Sequence, residues 1–100
     1  MLSTALVAAK VVAEPDGPPY PVCFSVHARA EPGVMPRVVE LFAKRGLVPQ
    51  RFHGTAVGSM LTIEVHVHDL GADAADYVAR CMRQIIGVET VLTIETRLSG

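Results

Sequence analysis

The pattern that most constrains this chain is an alternating apolar run followed at once by a helical one. Apolar side chains fill every second position from residue 22 to residue 28, which is the period of a strand with one buried face. A turn follows at residues 31–33, and apolar residues then recur at helical spacing: Val34, Val38, Leu41 and Phe42. The sequence therefore predicts a strand, a tight turn and an amphipathic helix, in that order.

The same order of elements returns in the second half of the chain. Residues 48–57 predict a second strand, and Gly58-Ser59 predicts a turn into a third strand at residues 60–68. A second helical stripe follows, closed by a glycine, and consists of Ala75, Val78, Ala79, Met82, Ile86 and Gly87. Residues 88–97 complete the pattern as a fourth strand, whose expected buried residues are Thr90, Leu92 and Ile94.

Two strand–helix–strand halves joined by a tight turn are typical of the split βαβ arrangement. The predicted fold is therefore α+β: a ferredoxin-like βαββαβ sandwich, in which two helices cover one face of a four-stranded antiparallel sheet. The residues expected on the other, open face are Ser25, His27, Arg29, Glu64, His66 and Thr93. An exposed sheet edge and a half-covered sheet favour a homodimer formed by side-by-side pairing of two sheets.

Length and charge limit the classes of protein to which the chain can belong. One hundred residues, half of them hydrophobic, suit a single compact domain. The net charge of −1 provides no attraction toward nucleic acid or anionic lipid. No apolar run reaches the roughly 20 residues that a membrane span requires. We therefore expect a cytoplasmic protein that binds neither nucleic acid nor membranes.

A cluster of residues that break regular structure marks the start of the domain, at Glu14-Pro15-Asp16-Gly17-Pro18-Pro19. We interpret residues 1–19 as leader and linker, and residues 20–98 as the domain. The pattern of residues 1–13 does not decide among a frayed end, a short helix and an added edge strand. Cys23 and Cys81 are isolated in the sequence, and we expect free thiols rather than a disulfide.

One segment of the chain resembles a known family. The run from Val26 through Pro32-Gly33-Val34-Met35, with Leu41-Phe42 and Arg45-Gly46 following at helical spacing, is similar to the first half of an ACT domain. Within that superfamily it most resembles the small regulatory subunit of acetohydroxyacid (acetolactate) synthase, an enzyme of branched-chain amino acid biosynthesis. The resemblance covers residues 20–98, by pattern alone in the second half. It implies the ferredoxin-like fold, allosteric regulation and no catalytic site.

The turn that carries the resemblance is also a candidate ligand site on physical grounds. Gly33 is expected to allow a backbone conformation or a close approach that a side chain would hinder. The N–H groups of Gly33, Val34 and Met35 begin a helix without intrahelical acceptors, and with the helix dipole they favour a carboxylate. The resemblance implies an amino acid bound here, commonly where two domains meet. The predicted ligand-binding residues are Ala30, Glu31, Pro32, Gly33, Val34 and Met35.

Two residues of the turn oppose amino acid binding. The resembling subunits carry an asparagine where this chain has Ala30, and that asparagine contributes polar contacts to the ligand and across the dimer. Glu31 places a negative charge beside the proposed carboxylate site. A second hypothesis therefore stays open: a stand-alone dimeric interaction protein that has kept the fold and lost amino acid binding.

The histidines raise a third hypothesis, a metal-binding variant that uses His27, His66 and His68. Imidazoles on neighbouring strands can bind zinc or nickel, but no cysteine or carboxylate completes a cluster by sequence spacing. No motif of nucleophilic or acid–base catalysis is recognisable either. We therefore predict no catalytic residue, no cofactor and no metal ligand, and a regulatory module that binds an amino acid, a catalytic partner subunit, or both.

Overall fold

Alternating apolar residues place the first strand in the middle of a sheet, where helices cover one side of it. The computed structural model describes residues 20–95. Its elements are β1 (Tyr20–Arg29), α1 (Val34–Lys44), β2 (Arg51–Val57), β3 (Met60–Leu70), α2 (Ala72–Arg83) and β4 (Val88–Glu95). All paired strands are antiparallel, in the order β2-β3-β1-β4. The predicted α+β fold, a ferredoxin-like βαββαβ sandwich, is confirmed.

Some predictions lie outside the described residues. They concern the leader, residues 1–19, and the end of the predicted domain and of its last strand, residues 96–98. Within residues 20–95, no helix is both long enough and apolar enough to cross a membrane.

The core lies between the helices and the two central strands. Its buried members on β1 and β3 are Val22, Phe24, Val26, Ala28, Leu61, Ile63, Val65, Val67 and Leu70. The helices contribute Val34, Val38, Phe42, Ala75, Val78, Ala79 and Met82. The rings of Phe24 and Phe42 lie 5.8 Å apart between centroids and are tilted by 59°, an arrangement that aromatic quadrupoles favour. The predicted helical stripes therefore face the sheet, apart from one residue.

That residue is Ile86, which the sequence placed on the stripe of the second helix. The helix ends at Arg83, and Ile86, a residue that is 77% exposed, lies in the turn to β4. The N–H groups of Gln84 and Ile85 donate to Cys81 and Met82, three residues back. Such bonds tighten the end of a helix, so Ile86 leaves the helical path before it can reach the core.

The fourth strand presents its apolar residues to the side opposite to the one predicted. Val91 is 3% exposed and faces the helices, whereas Leu92 and Ile94 are 55% and 53% exposed on the open face. Thr90 lies on the same open face, because it pairs with His27. The prediction that Thr90, Leu92 and Ile94 point inward was wrong.

A β-bulge explains this reversal. Ala28 pairs with Val88, but His27 pairs with Thr90, so β4 holds one extra residue at this point. An extra residue moves every later side chain to the other face of the sheet. Thr93, which pairs with Phe24, therefore lies on the helix side and not on the open face as expected.

The two cysteines are free thiols, as expected. Cys23 lies on the open face of β1, whereas Cys81 lies on α2, on the other side of the sheet. Arg45 donates hydrogen bonds to Cys81 Sγ (3.6 Å) and to the hydroxyl of Tyr77 (3.0 Å). The Arg45 guanidinium also lies 4.4 Å from the centroid of the Tyr77 ring. This cluster joins the end of α1 to α2 at the outer surface.

Candidate functional site

The predicted ligand turn, residues 30–35, lies at the end of the sheet where three connections meet. The N–H of Arg29 donates to the carbonyl of Gly87 in the α2–β4 turn (2.9 Å). The N–H of Ala30 donates to the carbonyl of Ser59 in the β2–β3 hairpin (2.9 Å). Because both bonds leave from the start of the turn, its backbone is held by the other two connections.

The six predicted ligand residues are contiguous in the structure, four in the β1–α1 connection and two at the start of α1, but their side chains differ in exposure. Ala30, Glu31 and Pro32 are exposed. Val34 is a core residue, 1% exposed, so only its backbone can meet a ligand. Met35 is half-buried and packs over Gly54 of β2, where a β-carbon would clash with the Met35 methyl group. The first half of the turn is therefore accessible to a ligand, whereas its second half packs against β2.

The backbone of this turn is less available to an anion than the sequence predicted. The N–H of Val34 already donates to the carbonyl of Glu31 (3.2 Å). Pro36, in the first turn of α1, has no N–H. This leaves the N–H groups of Gly33 and Met35 to meet a carboxylate.

Gly33 adopts an ordinary backbone conformation, with φ −82° and ψ −10°. Any residue can adopt these angles, so of the two expected roles of Gly33, a special backbone conformation or a close approach, only the close approach applies. A β-carbon at this position would meet the guanidinium of Arg37, which donates a hydrogen bond to the Gly33 carbonyl (3.0 Å). The close approach at Gly33 therefore involves the far end of a long side chain.

The charge of Glu31 is partly offset. Arg29 Nε lies 3.3 Å from Glu31 Oε2, and both side chains are about half exposed. Water screens an ion pair of this kind, so it contributes little to stability. The guanidinium still reduces the local negative potential, and Glu31 therefore opposes a bound carboxylate less than the sequence alone suggests.

The second candidate surface is the open face, the side of the sheet that α1 and α2 do not cover. From β1 and β2 it carries Cys23, Ser25, His27, Arg29, Arg51, His53, Thr55 and Val57. From β3 and β4 it carries Met60, Thr62, Glu64, His66, Thr90, Leu92 and Ile94. Three histidines, His27, His53 and His66, lie on this face.

Short contacts link polar side chains across the open face. Cys23 Sγ lies 3.5 Å from His66 Nε2 on the neighbouring strand. Ser25 Oγ lies 3.3 Å from His27 Nε2. Burial, and secondarily the carboxylate of Glu64, raises the pKa of the Cys23 thiol. A thiol with a raised pKa is a poor nucleophile at neutral pH, so this pair does not resemble a catalytic dyad.

The structure separates the histidines that the sequence offered as metal ligands. His66 pairs with Cys23, whereas His27 pairs with Thr62, four residues further along β1, a distance of about 13 Å along a strand. Among residues 20–95, no three histidine, cysteine, aspartate or glutamate side chains come together around a possible metal ion. Sequence reasoning missed Cys23 as the neighbour of His66. The β1–β3 register places the two side by side, and sequence spacing alone does not fix that register.

Comparison with known proteins shows to which family the chain belongs. The fold is that of a small α+β sandwich, and residues 20–98 match the family described as ACT-like domain. The chain belongs to the ACT-like domain family. ACT domains are in general regulatory, amino-acid-binding modules, and typically they are not catalytic. No curated protein matches the chain in sequence.

Solved structures share the fold at low sequence identity. The ACT domain of GTP pyrophosphokinase from Chlorobium tepidum has a TM-score of 0.69 at 13% identity, covering 76% of this chain and 99% of that one. An uncharacterized protein of Thermotoga maritima has a TM-score of 0.64 at 18% identity, covering 77% and 96%. The C-terminal domain of MgtC from Mycobacterium tuberculosis has a TM-score of 0.63 at 16% identity, covering 87% and 97%. These likenesses concern the fold alone.

Proposed function

We propose that this chain is a regulatory module without catalytic activity that pairs side by side with a second copy and binds an amino acid, a catalytic partner subunit, or both. The resemblance to the small subunit of acetohydroxyacid synthase suggests a role of that kind, in the cytoplasm. The observation that carries the proposal is the turn at residues 30–35. It is exposed in its first half, it begins a helix, and it is hydrogen-bonded to the other two connections at the same end of the sheet.

The mechanism we propose is a shift between two arrangements of the dimer. A ligand at the turn meets the N–H groups of Gly33 and Met35, and Met35 packs directly on β2 through Gly54. A ligand that displaces Met35 therefore also acts on β2. If β2 forms the dimer interface, the ligand favours one dimer geometry by its differential affinity for the two states.

The two edges of the sheet differ in how well they are protected against pairing. β4 carries the bulge opposite Ala28 and the carboxylates of Glu89 and Glu95, and such features discourage another strand from pairing. β2 pairs with β3 in continuous register and carries neither lysine nor proline over Arg51–Val57. This contrast supports β2 as the edge that pairs in the dimer.

A second candidate function is that of an interaction module that binds no amino acid. Two observations favour it: Ala30 has no polar side chain to offer a ligand, and the N–H of Val34 is already hydrogen-bonded to Glu31. In that case the open face and the β2 edge carry the function, and the turn is only a connection.

Thermal denaturation in the presence of each of the twenty amino acids tests the first function against the second. A ligand at 100 times its dissociation constant adds about 2.7 kcal/mol to the free energy of unfolding, which raises the melting temperature of a small domain visibly. The substitution Ala30→Glu should abolish the rise, because it adds a second carboxylate to the exposed turn. Ala74→Glu, an equal change at an exposed position of α2, should preserve it.

If no amino acid raises the melting temperature, amino acid binding is wrong and the interaction module remains. Co-purification from the native host then tests the partner. A thiamine-dependent synthase subunit that co-purifies with wild-type protein would support the proposed regulatory role. Its absence from such preparations would contradict the resemblance to the synthase small subunit.

A further inference from the structure

Two metal-ligand side chains face each other at the centre of the sheet. Cys23 on β1 and His66 on β3 are direct cross-strand partners, and their Sγ and Nε2 atoms lie 3.5 Å apart. Both side chains are half-buried, on the face that α1 and α2 leave open. The two central strands are paired along most of their length, so the backbone holds these residues in fixed positions.

The separation of the two atoms suits a shared metal ion. In a tetrahedral zinc site, with Zn–S of about 2.3 Å and Zn–N of about 2.0–2.1 Å, neighbouring sulfur and nitrogen ligands lie about 3.6 Å apart. The Cys23–His66 separation matches one edge of that tetrahedron. A hydrogen bond has a similar length, so distance alone does not decide. The side chains around the pair supply the second observation: two further histidines, His27 and His53, lie on this same face.

Cys23 and His66 supply two of the four ligands that a tetrahedral zinc site requires. Within the part of the chain that the structure describes, no third histidine, cysteine or carboxylate joins them. The pair lies on the two central strands, two residue pairs from Ser25 and Glu64, which form the next pair on the same face. Two open faces packed about a two-fold axis would therefore bring two such pairs close together.

We propose that Cys23 and His66 bind a Zn²⁺-type ion together with the same two residues of a second copy, which gives a four-ligand site of two thiolates and two imidazoles. Cys23 binds as the thiolate and releases its proton to the solvent, whereas His66 binds as the neutral imidazole through Nε2. Two copies joined in this way use their open faces. The ligand turn and the β2 edge stay free, so the ion would join two side-by-side dimers into a tetramer.

The charged groups around the pair act in opposite directions. Glu64, two residue pairs along the sheet, favours a cation, and Arg51, the partner of His66 on β2, opposes it. On the β4 side, Ile94 pairs with Cys23 and carries no charge. Because Cys23 binds as the thiolate, a proton competes with the metal for the sulfur. The affinity for the ion should therefore fall as the pH is lowered.

Titration of the reduced, tag-free full chain with Co²⁺ tests this site, because the absorption spectrum of bound cobalt depends on its ligands and their geometry. We expect the visible absorption of tetrahedral cobalt and a thiolate-to-cobalt charge-transfer band in the near ultraviolet. Both absorption bands should stop increasing once one ion has been added per two chains. Light scattering should then show that the particle mass has doubled. Addition of Zn²⁺ should displace the cobalt.

Matched variants locate the site. Cys23→Ser should remove the charge-transfer band, and His66→Gln should weaken cobalt binding at least tenfold. Cys81→Ser, the other thiol, and His53→Gln, another histidine of the open face, should leave both unchanged. Circular dichroism of each variant checks that it is folded.

Three results would overturn the proposal: no thiolate-to-cobalt band in the wild-type protein, an end point of one ion per chain, or loss of the band in Cys81→Ser. None of them bears on the amino acid melting experiment, which reports on the turn at the end of the sheet. The metal site and the regulatory function can therefore fail separately.

Discussion

Val34 and Gly87 are in such close contact that a β-carbon on residue 87 would lie 2.8 Å from Val34 Cγ2. Such a β-carbon would also lie 3.2 Å from Glu31 Oε1. On the other side of the contact, the Gly87 carbonyl accepts the N–H of Arg29. The α2–β4 turn therefore forms one wall of the proposed ligand turn, and a change at Gly87 is transmitted to Glu31 and Val34.

Gly87→Ala should lower the free energy of unfolding by about 2–3 kcal/mol. Gly87 has φ +101°, where a side chain is strained, and the added methyl group would also strike Val34. Gly46→Ala is the matched control, since Gly46 has φ +71° with open space around it, and should cost only about 1 kcal/mol. Urea denaturation measures both; equal losses in the two variants would contradict the packing described for Gly87.

Phe42→Ala should lower the free energy of unfolding by about 3–5 kcal/mol, because it removes a fully buried ring and leaves a cavity beside Phe24. Val39→Ala, three residues earlier on the same helix, removes a side chain that is 48% exposed and should cost less than about 0.5 kcal/mol. Denaturant titration compares the two. A small loss for Phe42→Ala would mean that α1 does not pack on the sheet as described.

Glu64→Gln should speed the alkylation of Cys23 by iodoacetamide at mildly alkaline pH. The Glu64 carboxylate helps to raise the pKa of the thiol, so its removal lowers that pKa and increases the fraction of reactive thiolate. Burial is the larger cause and persists in the variant, so the pKa stays above its ordinary value. The rate is measured by mass spectrometry in a Cys81→Ser background; an unchanged or slower rate would show that Glu64 does not act on Cys23.

Hydrogen exchange should locate the edge that pairs in the dimer. On dilution of the protein to the point where the dimer dissociates, amides of β2 (Arg51–Val57) should lose protection, because they return from a paired to a free edge. Amides of β4 (Val88–Glu95) should exchange at the same rate at all concentrations. Concentration-dependent protection in β4 instead of β2 would contradict the proposed interface.

The alternation and helical spacing in the sequence were enough to predict the fold. The alternation in β1 and β3 survives in the structure because both strands are central and one face of each is fully buried, so a shift by one residue would expose the core. β4 lies at the edge and carries a bulge, so periodicity could not show which of its residues face inward. For this reason Val91 is the buried residue of β4, whereas Leu92 and Ile94, which the sequence predicted to be buried, are exposed.

The candidate sites were predictable only in part. The turn at residues 30–35 follows from its composition, and the structure places residues 30–33 in one connection and Val34 and Met35 at the start of α1. The occupied N–H of Val34 and the ion pair of Glu31 with Arg29 depend on local geometry that composition does not specify. The Cys23–His66 pair depends on the register of strands 43 positions apart in sequence, and no local pattern encodes it.

The measurement that tests the regulatory account most directly is an amide NMR titration of the full chain with the amino acid that raises its melting temperature most. We predict saturable shifts that are largest at the amides of Gly33 and Met35, smaller shifts at Gly87 and Ser59, and none along the open face. Ala30→Glu should suppress them. No shift at a saturating concentration of that amino acid, or shifts confined to residues remote from this turn, would contradict the assignment of the turn as the ligand site.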